Sequence, residues 1–287
     1  MSSRLKTTLF LLTVLCTFLA GALGGIGGAE ALVAGLCGFT HPWNPKDGIL
    51  FCISIMSILF AHEMGHYLAC RYYGIAATFP MFIPMPIGPF GTLGALIRIK
   101  QPIPHRRALF DIGAAGPLAG ILVAIPFAVA GLHLSTVSKI PDKAMIFGDP
   151  LILQGLNRCV FGHIPPGYDV FVHPFALAAW VGFFVTALNL LPIGQLDGGH
   201  VIYSLFGRKS RYFFASVAGL VLGLVLGKAL QANYVVFLVI ILIIGFRHPP
   251  TIYDFVPLDA KRKLLAFVIL LCFILCFTPQ PIKIIGH

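Results

Sequence analysis

The sequence predicts an all-α polytopic membrane protein of about six to seven transmembrane helices, with one apolar, hairpin-like loop embedded between two of them. Three observations predict it. Hydrophobic residues make up 58% of the 287, charged residues only 10%, and mean hydropathy is +0.92. The apolar residues come in blocks of roughly 17–25, the length that crosses a bilayer as a helix. The Lys and Arg residues behind the +10 formal charge fall in short loops between those blocks, where they orient the chain instead of forming a nucleic-acid surface.

Taken in order, spans are expected at about 7–27, 49–71, 110–133, 171–193, 212–229, 232–246 and 264–279. The fifth and sixth are the weakest, since only Lys228 to Tyr234 is available to turn between them. Arg4 and Lys6 ahead of the first block, with Ala20-Gly21-Ala22 at its end, fit either a retained anchor or a cleaved signal peptide. The whole chain, 1–287, reads as one membrane domain: an N-terminal anchor over 1–48, a core over 49–206 and accessory spans over 207–287. Of the cysteines, Cys16, Cys52, Cys70, Cys272 and Cys276 lie in or at the ends of spans, and no spacing suggests a disulfide framework.

Basic clusters fix the topology. Arg71, Arg98, Lys100, Arg106 and Arg107 follow the second span. Arg208, Lys209 and Arg211 follow the fourth, and Arg247, Lys261, Arg262 and Lys263 the sixth. All belong on the cytoplasmic side.

His62-Glu63-Met64-Gly65-His66 lies near the end of the second span. Residues four apart share a helix face, so both imidazoles can reach one ion while Glu63 projects beside them as a general base. A catalytic zinc takes about three protein ligands. Asp197, at the same depth after the fourth span, is the candidate third: a carboxylate there costs about 2.5–3.5 kcal/mol on insertion scales unless it has a partner. The alternative is a helix cap near the interface. Asn189, at the end of the same span, is either a hydrogen-bond donor to substrate or polar glue between helices. Phe79 to Lys100 is apolar and rich in proline and glycine, and Gly91 to Ile99 reads as extended. It is either a passive interfacial loop or a hairpin whose edge pairs with an unwound substrate.

These segments, with Asn189-x-x-Pro192, Leu196-Asp197-Gly198-Gly199, Gly91-Thr92-Leu93-Gly94-Ala95 and Asp111-Ile112-Gly113-Ala114-Ala115-Gly116-Pro117-Leu118-Ala119-Gly120, resemble the site-2 protease family of intramembrane zinc metalloproteases, over roughly Ile49 to Phe206. The resemblance implies a core of three helices (about 49–71, 110–133 and 171–193) holding one Zn2+ per chain on His62, His66 and Asp197, with Glu63 as general base. It implies contacts to substrate from Asn189, Gly91, Leu93, Gly94 and Ala95. It further implies cleavage of a transmembrane protein substrate, frequently after a first cut by a site-1-type protease, in a membrane expected here to be a bacterial inner or plasma membrane with the site toward the cytoplasm. It does not extend to PDZ or CBS domains: the longest loop, about 134–170, is too short for a PDZ fold.

Gly113, Gly116 and Gly120 read as a packing seam against the catalytic helix. His200 reads as structural or as an outer neighbour of the site, and His41, His105, His133, His163, His173, His248 and His287 as interfacial or solvated. The rival function is a multi-pass cation transporter or channel lined by intramembrane His and Asp. Against it, no second copy of the His62 segment appears in the other half of the chain.

Overall fold

The computed structural model describes residues 3–24, 43–140, 144–226 and 248–285; the expected span at 232–246 lies outside them. Among the described residues, three helices are long and apolar enough to cross a bilayer: α1 (Ser3–Ala22), α2 (Pro45–Tyr72) and α3 (Arg106–His133). The others are shorter: α4 (Leu151–Phe161), α5 (Pro174–Asn189), α6 (Asp197–Phe206), α7 (Ser210–Leu226) and α8 (Ala260–Cys276). The structure is therefore mostly helical, and three of the expected six to seven spans correspond to helices of spanning length among the described residues.

A small amount of sheet accompanies the helices, and the expected hairpin-like loop is part of it. Among the described residues, six short strands form three two-stranded antiparallel sheets: β1 (Met81–Pro84) with β2 (Thr92–Leu96), β3 (Thr136–Lys139) with β5 (Tyr168–Phe171), and β4 (Ala144–Phe147) with β6 (Ile282–Ile285). The loop expected at 134–170 thus carries structure of its own, strands flanking the amphipathic α4. Residue 171, where a span was expected to begin, ends β5 instead.

Local chemistry sets the helix ends. Asn44 caps α2, its side-chain oxygen accepting from the Lys46 and Asp47 amides ahead of Pro45 at the first position. His105 caps α3 by accepting from Ala108 N–H, and His173 caps α5 by accepting from Phe175 N–H. Two histidines read as interfacial therefore satisfy otherwise orphaned amides. α5 stops at Asn189 because Pro192, which has no amide hydrogen, cannot continue a helical ladder.

α3 packs on both α2 and α5, and α2 packs on α5. Their shared core buries Phe51, Ile55 and Ile58 of α2, Ala124, Ala128 and Leu132 of α3, and Ala176 to Val181 with Phe183 of α5. Small residues carry this contact, as expected where lipid offers apolar groups no incentive to leave it. A Cβ on Gly131 would lie 2.2 Å from the Ala176 nitrogen, so the α3–α5 crossing requires glycine there. Leu11 and Leu15 of α1, Ile53 and Leu68 of α2, Leu122 of α3, and Leu264 and Phe267 of α8 remain exposed, the outward apolar surface of a protein solvated by lipid.

The chain after residue 247 is tied back by ion pairs. Arg106 at the start of α3 donates two hydrogen bonds of 3.2 Å to Asp254. Arg262 at the start of α8 bonds Asp111 at 2.6 and 2.8 Å and also Asp259. Burial alone would raise the Asp254 carboxyl, but Arg106, with the Tyr203 and Thr251 hydroxyls, outweighs it and holds that group below the usual carboxylate range.

Candidate metal centre and active site

His62 and His66 occupy consecutive turns of one face of α2 with Glu63 beside them, and all three are buried. The two Nε2 atoms are 3.2 Å apart. Asp197 opens α6, and its Oδ2 lies 3.3 Å from each of them. These three donor atoms form a nearly equilateral triangle. Zinc held tetrahedrally at about 2.0–2.1 Å separates its ligand atoms by about 3.3–3.4 Å, so the triangle has the dimensions of one face of that tetrahedron. Asp197 Oδ2 is buried and has no hydrogen-bond partner, a costly state for a carboxylate that a cation would relieve. Glu63 supplies an oxygen within 4.8 Å of a ligand nitrogen on both histidines. The residues present thus fit a zinc ion.

Neighbouring backbone aims these groups. His66 Nδ1 lies 2.6 Å from the Ile112 carbonyl. A carbonyl only accepts, so Nδ1 carries the hydrogen and donates, which leaves Nε2 as a lone pair facing the triangle. Asp197 is set by the turn after α5. A Cβ on Gly198 would lie 2.0 Å from the Leu190 carbonyl oxygen, and one on Gly199 would lie 2.3 Å from that of Gly194. The Asp197-Gly198-Gly199 run therefore lets α6 begin directly against the end of α5, bringing the carboxylate under the two histidines.

The glycines of α3 have a role the seam reading missed. A Cβ on Gly116 would sit 2.0 Å from His66 Nε2, one on Gly120 3.2 Å from His62 Nδ1, and one on Gly113 2.7 Å from His200 Cβ. At spacings of three and four they share one helical face, and each leaves room for an imidazole. Gly116 and Gly120 thus line the seam with α2 through its histidines, and Gly65 brings the two backbones together, a Cβ there lying 2.3 Å from the Ala115 carbonyl oxygen.

Asn189 ends α5 with Nδ2 3.1 Å from His62 Nε2, at the rim of the triangle. In the hairpin, Leu93 is two-thirds exposed while Gly94 is buried with φ +103°, its amide donating to Thr92 Oγ1. Gly91 is set apart from the other three expected substrate contacts. It turns with φ +73° and is pressed on α1, where a Cβ would meet the Cys16 carbonyl oxygen at 2.3 Å. The ribbon continues beyond the strands, with Thr78 N–H donating to Arg98 O and Lys100 N–H to Ala76 O. Arg98 therefore points its backbone groups at the partner strand. Alternation turns those of Ile97 and Ala95 to the edge that no strand covers among the described residues, the side on which the Glu63 carboxylate lies.

Comparison with known proteins decides the family. The sequence model of Peptidase family M50 matches residues 50–230. The chain belongs to that family. It is 32% identical over 237 residues to the probable zinc metalloprotease EGY1, chloroplastic, of Arabidopsis thaliana, covering 78% of this chain and 42% of that one. To EGY2 of the same plant it is 28% identical over 247 residues, 84% of this chain and 44% of that one. To EGY2 of Oryza sativa subsp. indica it is 31% identical over 209 residues, 71% and 37%. The chain thus spans about two fifths of the length of these relatives. These relatives are named as zinc metalloproteases, and zinc is the ion whose coordination the triangle fits.

Proposed function

We propose that this chain is an intramembrane zinc metalloprotease that hydrolyses peptide bonds within or near the transmembrane segments of membrane proteins. One observation carries the reading: His62 Nε2, His66 Nε2 and Asp197 Oδ2 stand 3.2–3.3 Å apart, buried, with Glu63 beside them, on apolar helices of membrane-spanning length.

In this reading His62, His66 and Asp197 hold the zinc and Glu63 is the general base. Zinc, when bound, lowers the pKa of water from 15.7 to about 7 and polarises a carbonyl. Glu63 takes the proton of the attacking water and returns it to the leaving amine. The Ile112 carbonyl keeps His66 in the tautomer that offers Nε2. Asn189, freed from His62 Nε2 when that lone pair is engaged, turns its amide hydrogens toward the developing oxyanion.

A helical substrate hides its peptide bonds in its own ladder and has to unwind before a carbonyl is reached. The free edge of β2 supports a route: an unwound strand adding beside Ala95 and Ile97 replaces its lost hydrogen bonds there and lies alongside Glu63. Leu93, Gly94 and Ala95 are the hairpin residues of this contact; Gly91 supports the turn. A prior cut by a second protease belongs to the same reading. The membrane is of the bacterial plasma or chloroplast type, the latter because the plant relatives are named as chloroplastic, with the basic loops on the cytoplasmic or stromal side. Family membership sets the transport alternative aside.

The test is to incubate the purified chain with single-span substrates and map the cuts by mass spectrometry. Cuts inside the apolar span that cease when zinc is chelated are expected. Cuts confined to soluble flanks, or persisting in chelator, contradict the reading.

A further inference from the structure

The glycine row of α3 seats a third histidine, His200, which the proposed chemistry leaves unused. It lies one turn beyond Asp197 on α6, and its Nδ1 is 2.6 Å from Nε2 of His248. His248 lies beyond residues 50–230, the stretch that the family model matches, and its own Nδ1 is 2.6 Å from the Pro249 carbonyl. That carbonyl only accepts, so His248 Nδ1 carries a hydrogen and donates. In the neutral ring Nε2 is then an acceptor, and His200 Nδ1–H is the donor to it. The direction of the chain fixes the tautomer of both imidazoles.

The same segment grips α6 one turn further along. The His248 ring stacks on Tyr203 at 4.5 Å and 27°, and the Tyr203 hydroxyl donates to Asp254 at 3.1 Å. Asp254 is in turn held by Arg106 of α3. His200 and Tyr203, three residues apart on one face of α6, are therefore both clamped by residues 248–254. The helix they clamp begins at Asp197.

We propose that His248 is a positioning residue for Asp197: by accepting from His200 Nδ1–H it fixes that ring on Gly113 and sets the rotation of α6 about its axis, holding the carboxylate at the triangle. The inference rests on the reading of Asp197 as a zinc ligand. Groups that orient ligands from outside typically change metal affinity 10–100-fold; with one residue intervening, the lower end is expected.

The experiment uses the full chain and measures the rate of zinc release to a chelator, together with the 15N signals of the His200 ring in zinc-free protein. His248→Ala and His248→Phe release zinc about tenfold faster and lose the protonated-Nδ1 signature. His248→Gln, whose amide oxygen accepts from His200, restores both. Because phenylalanine keeps the stack on Tyr203, a wild-type release rate in His248→Phe would reduce the residue to packing and overturn the proposal, as would an unchanged rate in His248→Ala. Asp197→Asn separates the two layers. Unchanged zinc retention there overturns the ligand reading and the inference with it, whereas fast release from Asp197→Asn beside wild-type release from His248→Ala overturns the positioning role alone.

Discussion

Gly116 of α3 lies under His66 of α2 so closely that a methyl group in place of its hydrogen would stand 2.0 Å from Nε2, the atom that faces the candidate metal. Nothing flexible is available to yield. The ring is held from its other side by the Ile112 carbonyl, and α2 itself is pressed on α3 at Gly65. Gly116→Ala is predicted to empty the site of zinc and abolish cleavage, whereas Gly120→Ala, where the clearance to His62 is 3.2 Å, should retain zinc with weakened affinity. Gly155→Ala is the control: a Cβ there meets nothing within 4 Å, and helix propensity favours the change by up to about 1 kcal/mol. Zinc content of the three purified variants checks the series.

The free edge of β2 carries the second prediction. Ala95→Pro removes an amide hydrogen that points away from β1, so the hairpin keeps its own pairing while a substrate strand loses a partner. Cleavage should fall at least tenfold, about 1.4 kcal/mol, with zinc content unchanged. Normal turnover by this variant would exclude strand addition at that edge.

Arg106→Ala tests the tie between α3 and the chain beyond residue 247. It leaves Asp254 with only the Tyr203 and Thr251 hydroxyls, and losing charge-assisted hydrogen bonds of this kind costs about 1–3 kcal/mol. The midpoint of thermal unfolding in detergent should fall. Arg106→Lys should recover part of the loss, since an ammonium replaces the charge without the two-pronged geometry.

Asp149, between β4 and α4, gives a pH dependence. Burial, and secondly the charge of Asp169, push its carboxyl from 3.8 up to about 6, against a bond donated by Asn157. The folded protein therefore holds this proton more tightly than the unfolded chain. That contribution to stability is fully present below about pH 4 and is lost as pH rises through about 6. Between pH 4 and 7 the unfolding midpoint of the wild type should decline relative to that of Asp149→Asn, which has no proton to lose. Parallel curves would show that Asp149 is not strained by burial.

Much of the candidate site was legible because its chemistry needs rare residues in an apolar setting. His62 and His66 declare a shared helix face by spacing alone, with Glu63 beside them, and Asp197 and Asn189 stand out as polar groups at the end of an apolar block. What stayed hidden depends on which faces meet. The spacing of Gly113, Gly116 and Gly120 announces close approach but not that imidazoles fill the gap. His248 looked solvated because nothing local reveals a partner 48 residues away. Gly91 looked like its neighbours in the extended run, yet its positive φ makes it a turn against α1. Strands at 136–139 and 168–171 were missed because each is only four residues long and pairs across α4. Apolar length alone does not distinguish a helix in lipid from one enclosed by protein; α5, at 16 residues, is buried along most of its length.

The most direct measurement compares Glu63→Gln with the wild type, purified in parallel, for bound zinc and for cleavage of a single-span substrate. One zinc per chain in both proteins, with cleavage reduced by about 10²–10⁴-fold in the variant, is the predicted result. Zinc absent from the wild type, or cleavage undiminished without the Glu63 carboxylate, would contradict the assignment of this triangle and its neighbouring glutamate as the proteolytic centre.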